Sequence, residues 1–276
     1  MRRTLTIIGA GKVGKTLGRL WVSNQTFQIQ DVLNRSLESA QHAVAFIGGG
    51  KAIGAYADLR PADIYLVAVS DDQIAACCEQ LARSGNLSSE TVVFHCSGAL
   101  RSSELQAATR QGASVASIHP IRSFALPEQV AQEFTGTWCG VEGDARALAI
   151  LGEAFSAIGA RMVPIDADAK ILYHSAAVFA CNYLTTLLDV AQQTYMRAGI
   201  PHDVALELMA PLVRETIDNV FRIGPAAALT GPIARGDIAT AERQRSAVAD
   251  WNQDYGTLYE QLARLTTDLA ARHNKP

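Results

Sequence analysis

The chain has 276 residues, of which 49% are hydrophobic and 18% charged, with a formal net charge of −3. That length suggests two domains, and the composition suits an ordinary soluble globular protein with a sizeable core. No long run of Lys or Arg is present, which argues against a nucleic-acid surface.

Residues 4–8 (TLTII) read as a buried strand that runs directly into Gly9-Ala10-Gly11-Lys12-Val13-Gly14. A helical pattern follows through Leu17, Leu20 and Trp21, then a strand at 28–33 ending in Asn34-Arg35-Ser36. A helix over 37–46 leads to a Gly48-Gly49-Gly50 turn, and Pro61-Ala62-Asp63 precedes a strand at 64–69. Next come a helix at 71–83, a strand at 91–95, a helix at 101–110 and a short strand at 113–118 that ends at His119-Pro120. A strand at 138–141, a helix at 144–158 and a strand at 161–164 complete this half. Strands alternating with helices predict a mostly parallel sheet covered on both faces.

The character changes near residue 166, where the strand signal ends. Residues 168–198 read as one long helix closed by Gly199 and Pro201. A helix at 202–222 should bend or break at Pro211. A loop from Gly224 to Asp237 and two helices, about 238–249 and 253–272, finish the chain. The expected division is 1–165 and 166–276.

Gly9-x-Gly11-x-x-Gly14 sits where a dinucleotide site requires it, after a strand and opening a helix. Gly9 permits the tight turn, Gly11 the approach of a pyrophosphate, and Gly14 close packing of helix on strand. Ala10, Lys12 and Val13 complete the loop, whose helix N-terminus offers N–H groups to phosphate. An NAD enzyme usually carries Asp or Glu at the end of the second strand, to hold the ribose 2′-hydroxyl. Here Asn34, Arg35 and Ser36 stand there, a set suited to a 2′-phosphate, so NADP is expected. Asp31 lies three residues too early.

Ligands in such sheets sit at the carboxyl ends of the strands. Those ends carry Ser70-Asp71, His95-Cys96-Ser97-Gly98 and His119-Pro120. Ser70, Ser97 and His119 are candidate contacts to the nicotinamide end of the cofactor. For His95 and His119, an imidazole bonded to backbone remains an equal alternative. On the long helix, Lys170, His174, Val178 and Asn182 recur every four residues along one drifting stripe. Polar groups there need partners, and a substrate oxygen is one. His174 is a candidate general acid because an unperturbed imidazole titrates near neutrality. Lys170 is a candidate acid or carboxylate holder, and Asn182 an orienting group. Arg235, in Leu229-Thr230-Gly231-Pro232-Ile233-Ala234-Arg235-Gly236-Asp237, can bind a carboxylate bidentately or hold a neighbouring helix or subunit. Asp237 can cap the helix after it.

Five cysteines without Cys-x-x-Cys spacing suggest reduced thiols and no metal site. The apolar stretch after Arg2-Arg3 is too short for a signal peptide, and the apolar region around 171–190 falls short of an unbroken membrane span. A cytoplasmic protein without a membrane partner is expected.

The motifs GAGKVG, NRS, HCSGAL, IHPIRSF, YHSAAVFACNY and LTGPIARGD together resemble one family over nearly the whole chain. Its members join a Rossmann-like N-terminal domain to a C-terminal domain of unknown function, DUF2520. The wider group of 6-phosphogluconate-dehydrogenase-like reductases includes ketopantoate reductase, pyrroline-5-carboxylate reductase and β-hydroxyacid dehydrogenases. The resemblance implies a doubly wound α/β domain, an all-α C-terminal domain of the 6-phosphogluconate dehydrogenase type, and a homodimer built through the C-terminal helices. It also implies an NADP-dependent reductase of a small carbonyl, such as a ketopantoate-like 2-oxo acid, or of an imine. β-Hydroxyacid dehydrogenases carry Lys-x-x-x-Asn where this chain has Lys170-x-x-x-His174, with Asn182 two turns later. Where the family often has His, one helix after Arg-Gly-Asp, this chain has Glu242-Arg243-Gln244. A dinucleotide-binding sensor without turnover and a deazaflavin-dependent NADP oxidoreductase are the alternatives.

Overall fold

The computed structural model describes residues 2–273. Contacts divide the chain into two compact units, Met1–Cys181 and Asn182–Pro276. The boundary lies later than the change in sequence character, because the first turns after residue 166 pack onto the sheet through Lys170 and Tyr173.

The first unit is built on an eight-stranded sheet. In chain order its elements are β1 (Thr4–Ile8), α1 (Lys12–Ser23), β2 (Gln28–Leu33), α2 (Leu37–Ile47), β3 (Lys51–Ile53), β4 (Ile64–Val67) and α3 (Ile74–Arg83). They continue with β5 (Val92–His95), α4 (Gln106–Thr109), β6 (Ser114–Pro120), α5 (Pro127–Gln132), β7 (Trp138–Gly143), α6 (Ala145–Ala157), β8 (Arg161–Pro164) and α7 (Lys170–Ala177). The strand order is β3-β2-β1-β4-β5-β6-β7-β8. All pairs are parallel except β6 with β7, which run antiparallel with His119 opposite Gly140. The sequence reading missed β3 and α5, both short, and gave the helix at 101–110 too much length: a 3₁₀ turn, Ser102–Leu105, takes its first half.

Side chains alternate between two buried clusters, one on each face. On β4, Ile64 and Leu66 join one cluster while Tyr65 and Val67 join the other. This period of two, buried on both sides, is why these strands read as unbroken apolar runs. Trp21 anchors the first cluster, edge-to-face against Phe27, Phe94 and Phe155, and its indole N–H donates to the Ala154 carbonyl at 3.2 Å.

The second unit is helical. After a π-helical turn, Val178–Tyr183, which starts in the first unit, come α8 (Leu184–Arg197), α9 (His202–Ile223), α10 (Pro225–Ala228), α11 (Ile238–Trp251) and α12 (Gln253–His273). The single helix expected over 168–198 is therefore broken in type at the π-turn. Conversely, α9 runs on through Pro211, which removes one backbone donor without ending the helix. The helical stretch Ala167–Arg197 is long and apolar enough to cross a membrane by length and composition, and none of its apolar window is buried. The expectation of no such segment rested on interruption by His174, Ser175 and Asn182, which an average over the window absorbs.

Candidate active site

The glycine loop follows β1 directly. Gly9 takes a φ of +83°, and a Cβ there would lie 2.9 Å from the Val69 nitrogen and 3.0 Å from the Ala68 carbonyl carbon. The Gly9 N–H donates to Leu33 O at 2.8 Å, tying the loop to the end of β2. A Cβ on Gly14 would come within 2.9 Å of the Gly9 carbonyl oxygen. Around Gly11, by contrast, a Cβ would meet nothing within 4 Å. Helix α1 has no side-chain cap and no acidic residue in its first turn. Its leading N–H groups, unpaired within the helix, are thus left to a ligand. Open space at Gly11 and an uncapped helix start fit a dinucleotide pyrophosphate.

At the end of β2 the three candidate residues have different tasks. Asn34 Oδ1 accepts from the Ala10 N–H at 2.7 Å and its amide donates to Ser39 Oγ, so Asn34 shapes the glycine loop. Ser36 caps α2 by accepting from the Ser39 N–H. Arg35 is exposed. Asp31 is buried and its carboxylate is engaged by Arg60 at 2.6 Å, so it is committed elsewhere.

A cavity of about 230 Å³ lies among the carboxyl ends of β4, β5 and β6, walled by Val13, Asp71, Ser97, Gly98, His119, Pro120, Arg122, Phe124 and His174. Ser97 is saturated. Its hydroxyl donates to Asp71 at 2.8 Å and accepts from the N–H groups of Ala99 and Leu100. Its carbonyl accepts from Lys170 and Ser117. Ser70 is exposed at the start of the turn after β4, and its side chain is the main cause holding the Asp72 carboxyl below its usual range. His95 is fully buried. Its Nδ1 accepts from the Ser97 N–H, so Nε2 carries the proton and donates to the Arg101 carbonyl at 2.9 Å. It is the scaffold of the turn, and burial lowers its pKa to about 4.

Lys170, at the start of α7, is 1% exposed. Its ammonium donates to Ser97 O and Ser117 Oγ and sits 3.5 Å from Glu142. Glu142 accepts from both the N–H and the hydroxyl of Ser102 at 2.7 Å. Burial lowers the Lys170 pKa, against the raising effect of Glu142. With its donors engaged beneath the cavity wall, Lys170 acts as a support; the expectation of a proton donor does not fit this geometry.

One turn on, α7 brings Tyr173 and His174 to His119. The Tyr173 hydroxyl lies 2.8 Å from His119 Nδ1. The rings of His119 and His174 meet edge-on with centroids 5.5 Å apart. His174 Nδ1 is buried with no hydrogen-bond partner. Gly98 lies under both imidazoles: a Cβ there would stand 2.8 Å from His119 Cε1, 2.9 Å from its Nε2, and closer still to His174 Nδ1. Gly98 stood at one of the expected strand ends, but Tyr173 and Arg122 were given no role, although each sits inside a quoted motif, next to His174 and three residues after His119 respectively. Asn182 and Arg235 are exposed residues of the second unit, and Asp237 caps α11 through the Thr240 N–H at 3.0 Å.

A Rossmann-like domain model matches residues 1–120, and the domain of unknown function DUF2520 matches residues 137–266. The second match starts just before β7, so Glu142, Lys170, Tyr173 and His174 fall within it. No curated protein matches by sequence. Among solved structures, a candidate NADP oxidoreductase from Bacteroides fragilis is similar, with 23% identity and a TM-score of 0.79, over 97% of this chain and 98% of that one. A protein from Thermotoga maritima is 25% identical with a TM-score of 0.75, over 98% and 100%. An imine reductase from Myxococcus stipitatus in complex with NADP+ is 16% identical with a TM-score of 0.64, over 98% and 93%. The chain is thus a Rossmann-like and DUF2520 domain-containing protein.

Proposed function

We propose that the chain is an NADP-dependent reductase of a small carbonyl or imine compound. The observation that carries this reading is the buried, unpartnered His174 Nδ1 over Gly98, in a cavity that also includes Val13 of the cofactor helix. A buried polar atom without a partner is costly, and a bound substrate supplies one. Support comes from similar structures whose descriptions name NADP oxidoreductase, pyrroline-5-carboxylate reductase and imine reductase.

Bound NADPH would supply a hydride to the substrate carbon. The loop Gly9–Gly14 and the start of α1 hold the pyrophosphate, and Arg35 holds the 2′-phosphate. His174 gives a proton at Nδ1 to the oxygen or nitrogen left electron-rich by that transfer. Val13, Pro120 and Phe124 keep water from the reacting atoms, and the Lys170–Ser97 contact fixes the Gly98 backbone beneath them. Arg122, already paired with Glu133 at 3.1 Å, puts positive charge in the wall, which suits an acid substrate. Titration calorimetry with NADPH, followed by an NADPH-oxidation screen over 2-oxo acids (ketopantoate included) and cyclic imines, tests this. Failure to bind NADPH at millimolar concentration refutes it. Binding without reduction of either class turns the protein into a dinucleotide sensor.

We further propose a homodimer as the physiological partner state. In the second unit Leu206, Leu212 and Phe221 of α9 are exposed, Phe221 at 86%. Apolar area of this kind is stabilised by a matching copy. Light scattering that returns a monomer at micromolar concentration removes the proposal.

A further inference from the structure

The Ser97 hydroxyl oxygen already accepts from two backbone donors, the N–H groups of Ala99 and Leu100. Its single proton goes to Asp71 Oδ2, 2.8 Å away. Ser97 is buried, whereas Asp71 is exposed in the cavity wall. A buried hydroxyl thus fixes one oxygen of an exposed carboxylate. Among the described residues nothing bonds the other oxygen, Oδ1, and no cation is paired with Asp71. Lys170 feels the Asp71 charge but spends its own donors on Ser97 and Ser117, beside Glu142. Arg122, in the same wall, is paired with Glu133. Fixing an exposed side chain costs rotamer freedom, and one hydrogen bond at the surface returns little. The arrangement suits a ligand that brings donors to Asp71. A carboxylate accepts and cannot donate, so that ligand must carry hydroxyl or N–H groups.

The strand order says which ligand groups those are. Arg35 follows β2, the glycine loop follows β1 and Asp71 follows β4, and these three strands are neighbours in that order. A dinucleotide laid across their carboxyl ends has its pyrophosphate at the loop and one nucleoside on each side. In NADPH the 2′-phosphate belongs to the adenosine ribose, which suits the cation after β2 and would be repelled by the carboxylate after β4. The nicotinamide-side ribose keeps both hydroxyls, two adjacent donors that match the acceptors of one carboxylate. The cavity walled by Asp71 also includes Val13 of α1, so it adjoins the pyrophosphate loop. Cation, loop and carboxylate along β2, β1 and β4 thus follow phosphate, pyrophosphate and diol along the cofactor.

We propose that the Asp71 carboxylate, fixed by Ser97, holds the hydroxyls of the nicotinamide-side ribose of NADPH. The inference rests on the cofactor part of the reductase reading above. Asp71 is then a cofactor-binding residue. Ser97, expected from the sequence to contact the cofactor itself, is a positioning residue that acts through Asp71.

The test is titration calorimetry on the full-length wild type, Asp71→Ala, Ser97→Ala and the double variant. The ligands are NADPH, 2′-phospho-ADP-ribose, which keeps the second ribose but lacks nicotinamide, and 2′,5′-ADP, which lacks both. Asp71→Ala should weaken NADPH and 2′-phospho-ADP-ribose alike, by about 10–100-fold, the usual effect of losing a charged hydrogen-bonding partner. It should change 2′,5′-ADP by less than about 3-fold. Ser97→Ala should weaken NADPH in the wild-type background and add little once Asp71 is gone, because the two act as one unit. Full additivity would remove the positioning role of Ser97. An equal loss for all three ligands would mean that Asp71 acts through the fold. A loss for NADPH alone would place the carboxylate at the nicotinamide amide. Unchanged NADPH affinity, whether or not KM for a cyclic imine rises, would mean that Asp71 does not hold the cofactor. Each of these three outcomes overturns the assignment and leaves the reductase standing. A wild type that fails to bind NADPH overturns both, whereas the expected pattern in a protein that reduces nothing keeps this inference and removes the reductase.

Discussion

The Lys170 ammonium lies 3.5 Å from the Glu142 carboxylate, and the two side chains are only 1% and 8% exposed. The pair joins α7 to β7 and, through Ser97 and Ser102, to the turns after β5. Desolvation makes such a pair a poor source of net stability, but removing one partner strands a buried charge. Lys170→Met should therefore cost about 3–5 kcal/mol in urea unfolding, and Lys170→Met with Glu142→Gln distinctly less. If the double variant is as unstable as the single one, the ion pair is not what Lys170 is there to satisfy.

Gly9 and Gly11 separate folding from binding. Gly9→Ala meets both a positive φ and a collision with Val69, and should cost about 2–5 kcal/mol of stability. Gly11 has an ordinary φ of −71° and open space around its Cβ direction. Gly11→Ala should cost no more than about 1 kcal/mol of stability, the difference between Gly and Ala at the start of a helix, while weakening NADPH about 10-fold or more by filling the pyrophosphate's approach. Thermal melts and calorimetry on the two variants check the contrast.

How much of this was legible beforehand depended on sequence distance. The cofactor loop is a local feature: strand, glycines and helix occupy residues 4–23, and their spacing alone gives the geometry. The alternation of strands and helices likewise gave a doubly wound sheet. The four-residue spacing of Lys170 and His174 was equally legible, but not their different fates. A helix placed against a sheet buries one position and leaves another at the cavity edge, and that depends on how α7 meets β6 and β7. His119 and Tyr173 are 54 residues apart, and Glu142 and Ser102 are 40 apart. No pattern in a single chain pairs them. The same holds for His95, whose structural role follows from the fold of the turn from Cys96 to Arg101.

His95 makes stability depend on acidity. Its folded pKa is depressed from the usual 6.5 to about 4, chiefly by burial. Between those values the unfolded chain binds a proton that the folded chain refuses, so stability is complete above pH 6.5 and declines as the pH falls towards 4. A shift of that size corresponds to ~3 kcal/mol. His119, lowered in the same direction, adds to the decline. Urea unfolding at intervals from pH 7 to pH 4 should show the loss, with a flatter profile for His95→Asn. An unchanged midpoint across that range would mean that His95 titrates normally in the folded protein.

Arg35 is the exposed cation at the end of β2, while its neighbours are occupied in shaping the loop and capping α2. A charge-assisted bond to a 2′-phosphate contributes about 1.5–3 kcal/mol, or roughly 10–100-fold in affinity. Arg35→Ala should weaken NADPH by that factor and leave NADH within about 3-fold. Calorimetry with both cofactors reads this directly; equal losses for the two would show that Arg35 does not recognise the phosphate.

Gly98→Ala tests the cavity itself. Its Cβ would press on His174 Nδ1 and on His119, two rings that are held from behind by α7 and by Tyr173. His119 cannot retreat without breaking its contact with Tyr173. The expected result is a loss of kcat of about 100-fold or more, because misplacing a reacting group by an ångström is enough. Overpacking should cost about 1–3 kcal/mol of stability, with NADPH affinity nearly unchanged because the glycine loop and Arg35 lie elsewhere. A Gly98→Ala enzyme with normal turnover would mean that the substrate does not sit between the two imidazoles, and would move the search for the reacting centre away from this cavity.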